Sequence, residues 1–125
     1  MTAEGHRGKT ILVVEDDAAT REALAMILGA EGFAVVGAAN GQEALGRLRS
    51  DVRPDLILLD LMMPVMDGWQ FRREQLKDPA LAAIPIVVLS ADGNVQQKAA
   101  SLQTPEYLQK PVDADNLLEV IRRQF

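Results

Sequence analysis

Short apolar runs alternate along this chain with longer stretches in which apolar residues recur at helical spacing. The runs are rich in Val, Ile and Leu, which predicts strands buried on both faces of a sheet. These predicted strands span Thr10–Val14, Ala34–Gly37, Leu56–Leu59, Ile84–Leu89 and Tyr107–Gln109. Between them, sets such as Leu24, Ile27 and Leu28 lie three and four positions apart. That spacing predicts helices that each bury one stripe of side chains.

Polar residues indicate where several of the helices begin. Asn40 stands before Gly41, and Glu43 follows three positions after it, which resembles a capping box. Asp67 and Asp113 hold the equivalent place before the third and the last helix. Five alternating strand–helix units predict an α/β protein with a five-stranded parallel sheet. Right-handed crossovers place helices on both faces, so the fold class is a doubly wound three-layer sandwich.

Composition and charge narrow the functional classes. The 125 residues suit one domain, and the 48% of hydrophobic and 25% of charged residues are ordinary globular values. The net charge of −5 and the pI near 4.8 argue against a nucleic-acid surface. We expect no membrane span, no signal peptide and a cytoplasmic protein. The absence of Cys and the single His6 argue against disulfides, thiolate chemistry and a histidine-based zinc site.

Polar residues directly follow four of the five predicted strands. They are the acidic run Glu15–Asp17 and then Asp60, Ser90 and Lys110. Because the carboxyl ends of parallel strands meet at one edge of a sheet, these side chains should converge. Clustered carboxylates repel each other and need a cation, and hard oxygen ligands favour Mg²⁺, Ca²⁺ or Mn²⁺. A spare carboxylate, a divalent cation, a hydroxyl and an ammonium together indicate phosphoryl transfer to an aspartate.

Three segments resemble the receiver domain of bacterial two-component response regulators, of the stand-alone, chemotaxis-regulator-like kind. They are Ile11–Asp17, Asp55–Gly68 and Tyr107–Pro111, and the run Asp-x-x-Met-Pro-x-Met-Asp-Gly that starts at Asp60 is the most specific. The resemblance covers residues 9–125 and leaves residues 1–8 as a flexible tail. It implies a flavodoxin-like fold with strand order 2-1-3-4-5 and five helices.

The resemblance also implies a metal site and a phosphoacceptor. Asp60 would accept a phosphoryl group from the phosphohistidine of a histidine kinase or a phosphotransfer protein. Mg²⁺ (or Mn²⁺) would be held by Asp16 and Asp60, by Glu15 through water, and by the backbone carbonyl of Met62. Phosphorylation of this kind makes the protein a self-modifying switch rather than an enzyme.

A further set of residues would carry the response to phosphorylation. Ser90 and Lys110 would contact phosphoryl oxygens, and the Lys110–Pro111 bond would be cis. Ser90 and Tyr107 match the paired switch positions of the family. They would change an output surface around the fifth strand and the fourth and fifth helices. An unidentified output protein would bind there.

Some of these residues also fit plain structural roles. Asp17 suits an N-cap of the first helix better than a metal ligand. Tyr107, taken alone, suits an ordinary strand position. Arg72 and Arg73 fit a solvated helix face. For Asp60 a structural role is a poor explanation, because a carboxylate that ends a buried strand is costly unless it is used.

The segment between Ser90 and Lys110 departs from the family pattern. The two residues are 20 positions apart, which is shorter than the usual spacing, and Thr104–Pro105 replaces the customary Gly-Ala pair. The apolar stripe of the intervening helix is thin and consists of Val95, Ala99 and Leu102. The sequence therefore predicts a short or mobile fourth helix.

Two other functions remain open alongside this prediction. One is a receiver-shaped interaction module that is never phosphorylated. The other is a Mg²⁺-dependent phosphatase that works through an aspartyl phosphate, although Met62 occupies the position where such enzymes carry a second Asp. Since nothing resembling a linker or another module follows the last predicted helix, we expect a stand-alone receiver domain.

Overall fold

A computed structural model of the chain describes residues 8–50, 52–91, 93–104 and 106–125. Apart from Gly8, the predicted tail, including His6, lies outside the described residues. Five parallel strands form one sheet: β1 (Thr10–Val14), β2 (Ala34–Ala38), β3 (Leu56–Asp60), β4 (Ile86–Ser90) and β5 (Glu106–Gln109). Their order is β2-β1-β3-β4-β5, as predicted.

The described residues form six helices, one more than predicted. They are α1 (Ala18–Ala30), α2 (Gly41–Arg49), α3 (Gly68–Leu76), α4 (Pro79–Ala82), α5 (Val95–Ser101) and α6 (Ala114–Arg122). The unpredicted α4 is a single turn that begins at Pro79, and the carboxylate of Asp78 accepts a hydrogen bond from the amide of Ala80 at 3.0 Å. The predicted fourth and fifth helices are therefore α5 and α6. None of the described helices is long and apolar enough to cross a membrane.

Alternation along each strand divides the core into two layers. Leu12, Ile57 and Val88 face one layer, which they share with α2, α3 and α5. Ile11 and Leu58 face the other layer, together with α1 and α6. A shift of one residue in the register would turn these apolar side chains to the wrong face, so burial on both sides fixes the pairing. The three-layer sandwich is confirmed.

Four helices begin at the caps that the sequence predicts. The capping side chains belong to Asp17, Asn40, Asp67 and Asp113. Each accepts a hydrogen bond from an amide three positions later at 2.9–3.1 Å. The predicted box at Asn40 is only partial, because Glu43 accepts from the amide of Ala39. The complete capping box lies at Asp67, whose amide donates to Gln70 at 3.0 Å.

A buried polar pair lies on the side of α3 that was predicted to be solvated. Arg73 is exposed as expected, but Arg72 is buried, which corrects the prediction for that residue. Arg72 donates from Nε to the carbonyl of Leu102 at 3.0 Å and from Nη1 to Gln75 at 2.8 Å. Gln75 in turn donates to the carbonyls of Leu81 and Ile84. The pair joins α3 to the turn around α4 and to the end of α5 by satisfying carbonyls that these segments leave open.

The predicted shortness of the fourth helix is confirmed, because α5 spans only seven residues. Its last helical residue is Ser101, and Gln103, two positions later, has a φ of +61°. The amide of Gln103 donates to the carbonyl of Ala100, and the amide of Thr104 donates to that of Ala99 at 3.1 Å. This is the pattern of a helix end that glycine usually terminates, since a side chain costs about 1–2 kcal/mol in the left-handed region.

Replacing Gln103 by Gly is therefore expected to stabilise the protein by about 0.5–1 kcal/mol, after allowing for the extra chain entropy of glycine. Urea unfolding followed by circular dichroism measures the change. The matched control is Gln97→Gly, an exposed position inside α5, where glycine should cost roughly 1 kcal/mol. A loss of stability in both variants would contradict the role assigned to Gln103.

Candidate functional site

The chemistry-bearing residues meet at the carboxyl edge of the sheet. Asp60 and Ser90 are the last residues of β3 and β4, whereas Glu15 and Lys110 directly follow β1 and β5. The amide of Glu15 donates to the carbonyl of Ala38 at 3.0 Å, and the amide of Lys110 donates to the carbonyl of Ser90 at 2.8 Å. The Lys110–Pro111 bond is cis, as the resemblance implies. The predicted convergence of these four residues is therefore what the fold produces.

Three carboxylates form a cluster at this edge. Glu15, Asp16 and Asp60 each offer an oxygen, and the three atoms lie within 4.8 Å of one another. Glu15 and Asp60 are buried, with 0% and 3% of their surface exposed, whereas Asp16 is open to solvent. This donor set is all hard oxygen and is reached from one exposed side, which fits Mg²⁺ or Mn²⁺. The three predicted side-chain ligands are thus brought together.

Met62 presents its backbone to the same carboxylate. Its amide donates to Oδ1 of Asp60 at 3.3 Å, and its side chain is exposed. The apolar side chain takes no part in the polar contacts of the cluster. A role for the Met62 carbonyl as a ligand stays a prediction.

Lys110 is the cation that compensates the buried carboxylates. Its ammonium forms ion pairs with Oε1 of Glu15 and, at 3.4 Å, with Oδ2 of Asp60. Burial by itself would lower the pKa of Lys110, but the contacts with the two carboxylates outweigh burial and raise it. Lys110 therefore stays charged across the neutral range of pH.

The ammonium of Lys110 does not fully offset the effects that raise the pKa of Asp60. Burial and, next to it, the adjacent Glu15 carboxylate raise the pKa of Asp60 to about 7, although Lys110 and the Met62 amide oppose the rise. Without a divalent cation, Asp60 therefore carries a proton for a sizeable part of the time near pH 7. A cation placed among the three carboxylates would favour the ionised form.

Asp17 serves α1 rather than the cluster, as the capping interpretation predicts. Its carboxylate accepts hydrogen bonds from the amide and the hydroxyl of Thr20. These bonds hold the pKa of Asp17 below its usual value. The amide of Asp17 donates to Oε2 of Glu15 at 3.2 Å. Asp17 thus contributes its backbone to the site.

Sequence reasoning missed Arg21 at this site. Nη1 of Arg21 donates to the backbone carbonyl of Glu15 at 2.6 Å. An arginine in the first turn of α1 resembles any solvated helical arginine, so its position in the sequence gives no sign of this contact. A glycine within the β2 sequence, Gly37, is the one feature that could have suggested a close approach by another group.

Ser90 and Tyr107 share one face of the sheet. In the ladder Tyr107 lies opposite Val88, two residues before Ser90, and side chains two residues apart point to the same face. Val88 and Tyr107 belong to the core layer that contains α5. Ser90 is fully buried, and Tyr107 is half-buried. The geometry agrees with a link between the site and α5, and the switch role of the two residues stays a prediction.

Comparison with known proteins gives a consistent result. Residues 11–122 match the family model described as the response regulator receiver domain. The response regulators MprA of Mycolicibacterium vanbaalenii and of Mycobacterium tuberculosis are each 42% identical over 114 residues, which is 90% of this chain and 48% of the relative. The chain therefore spans about half the length of the curated relatives it matches.

Solved structures resemble the fold over nearly its whole length. The chemotaxis response regulator CheY4 of Vibrio cholerae has a TM-score of 0.85 at 28% identity, over 94% of this chain and 98% of its own. A response regulator receiver protein from Pseudomonas putida has a TM-score of 0.83 at 34% identity, over 92% and 96%. The signal receiver domain of a signal transduction histidine kinase from Syntrophus aciditrophicus has a TM-score of 0.81 at 33% identity, over 94% and 89%.

Proposed function

The chain belongs to the family of response regulator receiver domains, and from that premise we propose that it is a switch set by phosphorylation of Asp60. The phosphoryl group would come from the phosphohistidine of a histidine kinase or a phosphotransfer protein. The observation that carries the proposal is the burial of Asp60 beside Glu15 and Asp16, with Lys110 in contact. So costly an arrangement of charge is typical of a functional site. The proposal covers the receiver unit, whether it acts alone or is joined to other domains, and includes a cytoplasmic setting.

Glu15, Asp16 and Asp60, with the carbonyl of Met62, would hold Mg²⁺ (or Mn²⁺). When bound, this cation supplies positive charge to the phosphoryl oxygens. The fit rests on three carboxylate oxygens within 4.8 Å and on an exposed side at Asp16 through which a phosphodonor can approach. Cation binding also favours the ionised form of Asp60, which is the nucleophilic form.

The residues of the chain have separate roles in the transfer. One carboxylate oxygen of Asp60 forms a bond to phosphorus, while the phosphorus–nitrogen bond of the donor breaks and the imidazole keeps its electron pair. Lys110, 3.4 Å from Oδ2 of Asp60, is placed to pair with a phosphoryl oxygen. Ser90 at the adjacent strand end would donate its hydroxyl to another. The same groups serve slow self-catalysed hydrolysis, so the protein is a switch rather than an enzyme.

The response to phosphorylation would involve the residues on the face of the sheet that α5 covers. The acyl phosphate adds about 1.5–2 units of negative charge beside Ser90. Ser90 and Tyr107 share the face that α5 covers, so movement of the Ser90 loop changes the packing of both Tyr107 and α5. The surface formed by α5, β5 and α6 would bind an output protein in one of the two packings.

Intact-mass spectrometry after incubation with Mg²⁺ and acetyl phosphate tests the proposal. We expect the wild type to gain the mass of one phosphoryl group, and we expect no gain with chelator or in Asp60→Ala. Asp67→Asn is the matched control, since it changes another carboxylate of the same loop and keeps a capping residue. It should be phosphorylated like the wild type.

Two results would overturn the proposal. Absence of phosphorylation together with absence of Mg²⁺ binding would make the chain an interaction module that is never phosphorylated. Repeated turnover of an external phosphomonoester with Mg²⁺ would make it a phosphatase.

A further inference from the structure

Arg21 contacts the site through the main chain. The carbonyl of Glu15 lies just beyond the last ladder pairs of β1, which join Val14 to Ala38 and to Leu59. A carbonyl at that point has left the sheet and needs a donor. Nη1 of Arg21, in the first turn of α1, donates to this carbonyl at 2.6 Å. In the described part of the chain, the guanidinium forms no ion pair with a carboxylate within 4.0 Å, and the carbonyl of Glu15 accepts its hydrogen bond.

Gly37 makes room for this contact. The arginine stem crosses β2 at Gly37, and a Cβ built there would lie 3.2 Å from Cδ of Arg21 and 3.6 Å from Nε. A contact of 3.2 Å is tighter than ordinary van der Waals separation, so an added Cβ would require the Arg21 stem to shift by a few tenths of an ångström. The path of the Arg21 side chain therefore depends on the absence of a side chain at Gly37 in β2.

Glu15 is held by three hydrogen bonds, one of which is the contact with Arg21. Glu15 is held by its amide to Ala38 at 3.0 Å, by its carbonyl to Arg21 and by Oε2 to the amide of Asp17 at 3.2 Å. Asp16 is the next residue and receives its backbone direction from that carbonyl. We propose that Arg21 is a positioning residue for the acidic cluster, fixing the backbone at Glu15 so that Glu15 and Asp16 meet Asp60 around one cation. This inference rests on the proposed function, since it assumes that the cluster binds Mg²⁺.

Removal of Arg21 should change Mg²⁺ affinity in opposite directions, depending on whether Arg21 acts by positioning the ligands or by its charge. A guanidinium beside the cluster repels a divalent cation, so its removal would tighten Mg²⁺ binding if charge were its only influence. If Arg21 positions the ligands, its removal weakens binding despite the lost repulsion. Partners that orient metal ligands typically change metal affinity by 10–100-fold when removed.

Calorimetric titration with Mg²⁺ alone, at a temperature where every variant is folded, measures this difference. We expect Arg21→Gln to weaken binding roughly 10-fold. Arg21→Lys keeps the charge but lacks the guanidinium fork, so it should weaken binding several-fold. Gly37→Ala keeps Arg21 and shifts its stem only slightly, so it should weaken binding less than Arg21→Lys does. The controls are Arg47→Gln, an exposed arginine on α2, and Gly46→Ala, where a Cβ meets nothing within 4 Å. Both should stay within about twofold of the wild type.

Phosphorylation by acetyl phosphate provides a second measurement. In Arg21→Gln the Mg²⁺ concentration for half-maximal rate should rise with the Kd, while the rate at saturating Mg²⁺ stays within about twofold of the wild type. A purely structural role would lower the unfolding temperature without this separation.

The outcomes distinguish failure of the inference from failure of the proposed function. If the wild type does not bind Mg²⁺, the proposed function itself fails. If the wild type binds but Arg21→Gln binds equally well or more tightly, Arg21 acts by charge and the inference is overturned. If Arg21→Gln does not fold, Arg21→Lys, which keeps the charge, decides: weakened binding supports positioning, and binding as tight as that of the wild type rejects it.

Discussion

Replacing Lys110 by Met is expected to destabilise the metal-free protein at pH 8 by about 3 kcal/mol, the lower end of the cost of breaking a buried ion pair. Methionine keeps the apolar stem but removes the ammonium that pairs with Glu15 and Asp60. Two buried carboxylates then face each other without a compensating cation. Thermal unfolding in the presence of chelator measures the loss, and a fall in Tm of roughly 10 °C is expected for a domain of this size.

The pH dependence of the Lys110→Met variant follows from Asp60. Lys110 is one of the groups that oppose the raised pKa of Asp60, so its removal raises that pKa above 7. At pH 5.5 Asp60 is then protonated, the repulsion falls, and the destabilisation should be smaller than at pH 8. The matched control is Lys77→Met, which removes an exposed ion pair of 2.7 Å with Glu74 and should leave Tm nearly unchanged. Equal losses in the two variants would contradict the compensating role of Lys110.

Most of the site could be predicted because its residues follow strands that burial makes easy to recognise. Once the sheet is parallel, residues such as Asp60 and Lys110 must share an edge, whatever the details of the helices. The contact made by Arg21 could not be predicted in this way. It depends on the angle at which α1 crosses β2 and on the space left by Gly37, and neither is encoded in a local pattern.

Most of the strands and helices could also be predicted from the sequence. Apolar runs and caps indicate five strands and five helices, including the short helix that is α5, because each of these features acts over a few residues. The short α4 could not be predicted, since a single helical turn after Pro79 is too short to show periodicity. Because charged residues usually lie in solvent, the sequence predicts an exposed Arg72. Its guanidinium instead donates to the carbonyl of Leu102, and no local pattern encodes a contact between residues so far apart in the chain.

Replacing Asp60 by Asn is expected to stabilise the metal-free protein at pH 8. The pKa of Asp60 is raised to about 7 in the folded protein, against an ordinary value of 3.8 for an aspartate. Between these values the folded state binds more protons than the unfolded state, so wild-type stability falls as pH rises from about 4 to about 7. The full shift corresponds to about 4 kcal/mol. Screening through the exposed side of the site at Asp16 reduces this to about 2 kcal/mol.

Urea unfolding in chelator from pH 4 to pH 8 tests this prediction. The two proteins should have similar stability at pH 4, and the advantage of Asp60→Asn should grow until about pH 7 and then level off. Asp16→Asn should also stabilise, but less, because Asp16 is exposed and its charge is already hydrated. Asp113→Asn is the control, since it replaces one good N-cap by another outside the cluster. A clear loss of stability in both Asp60→Asn and Asp16→Asn would show that the carboxylates do not repel one another in the metal-free protein, and that the cluster is not a site strained in readiness for a cation.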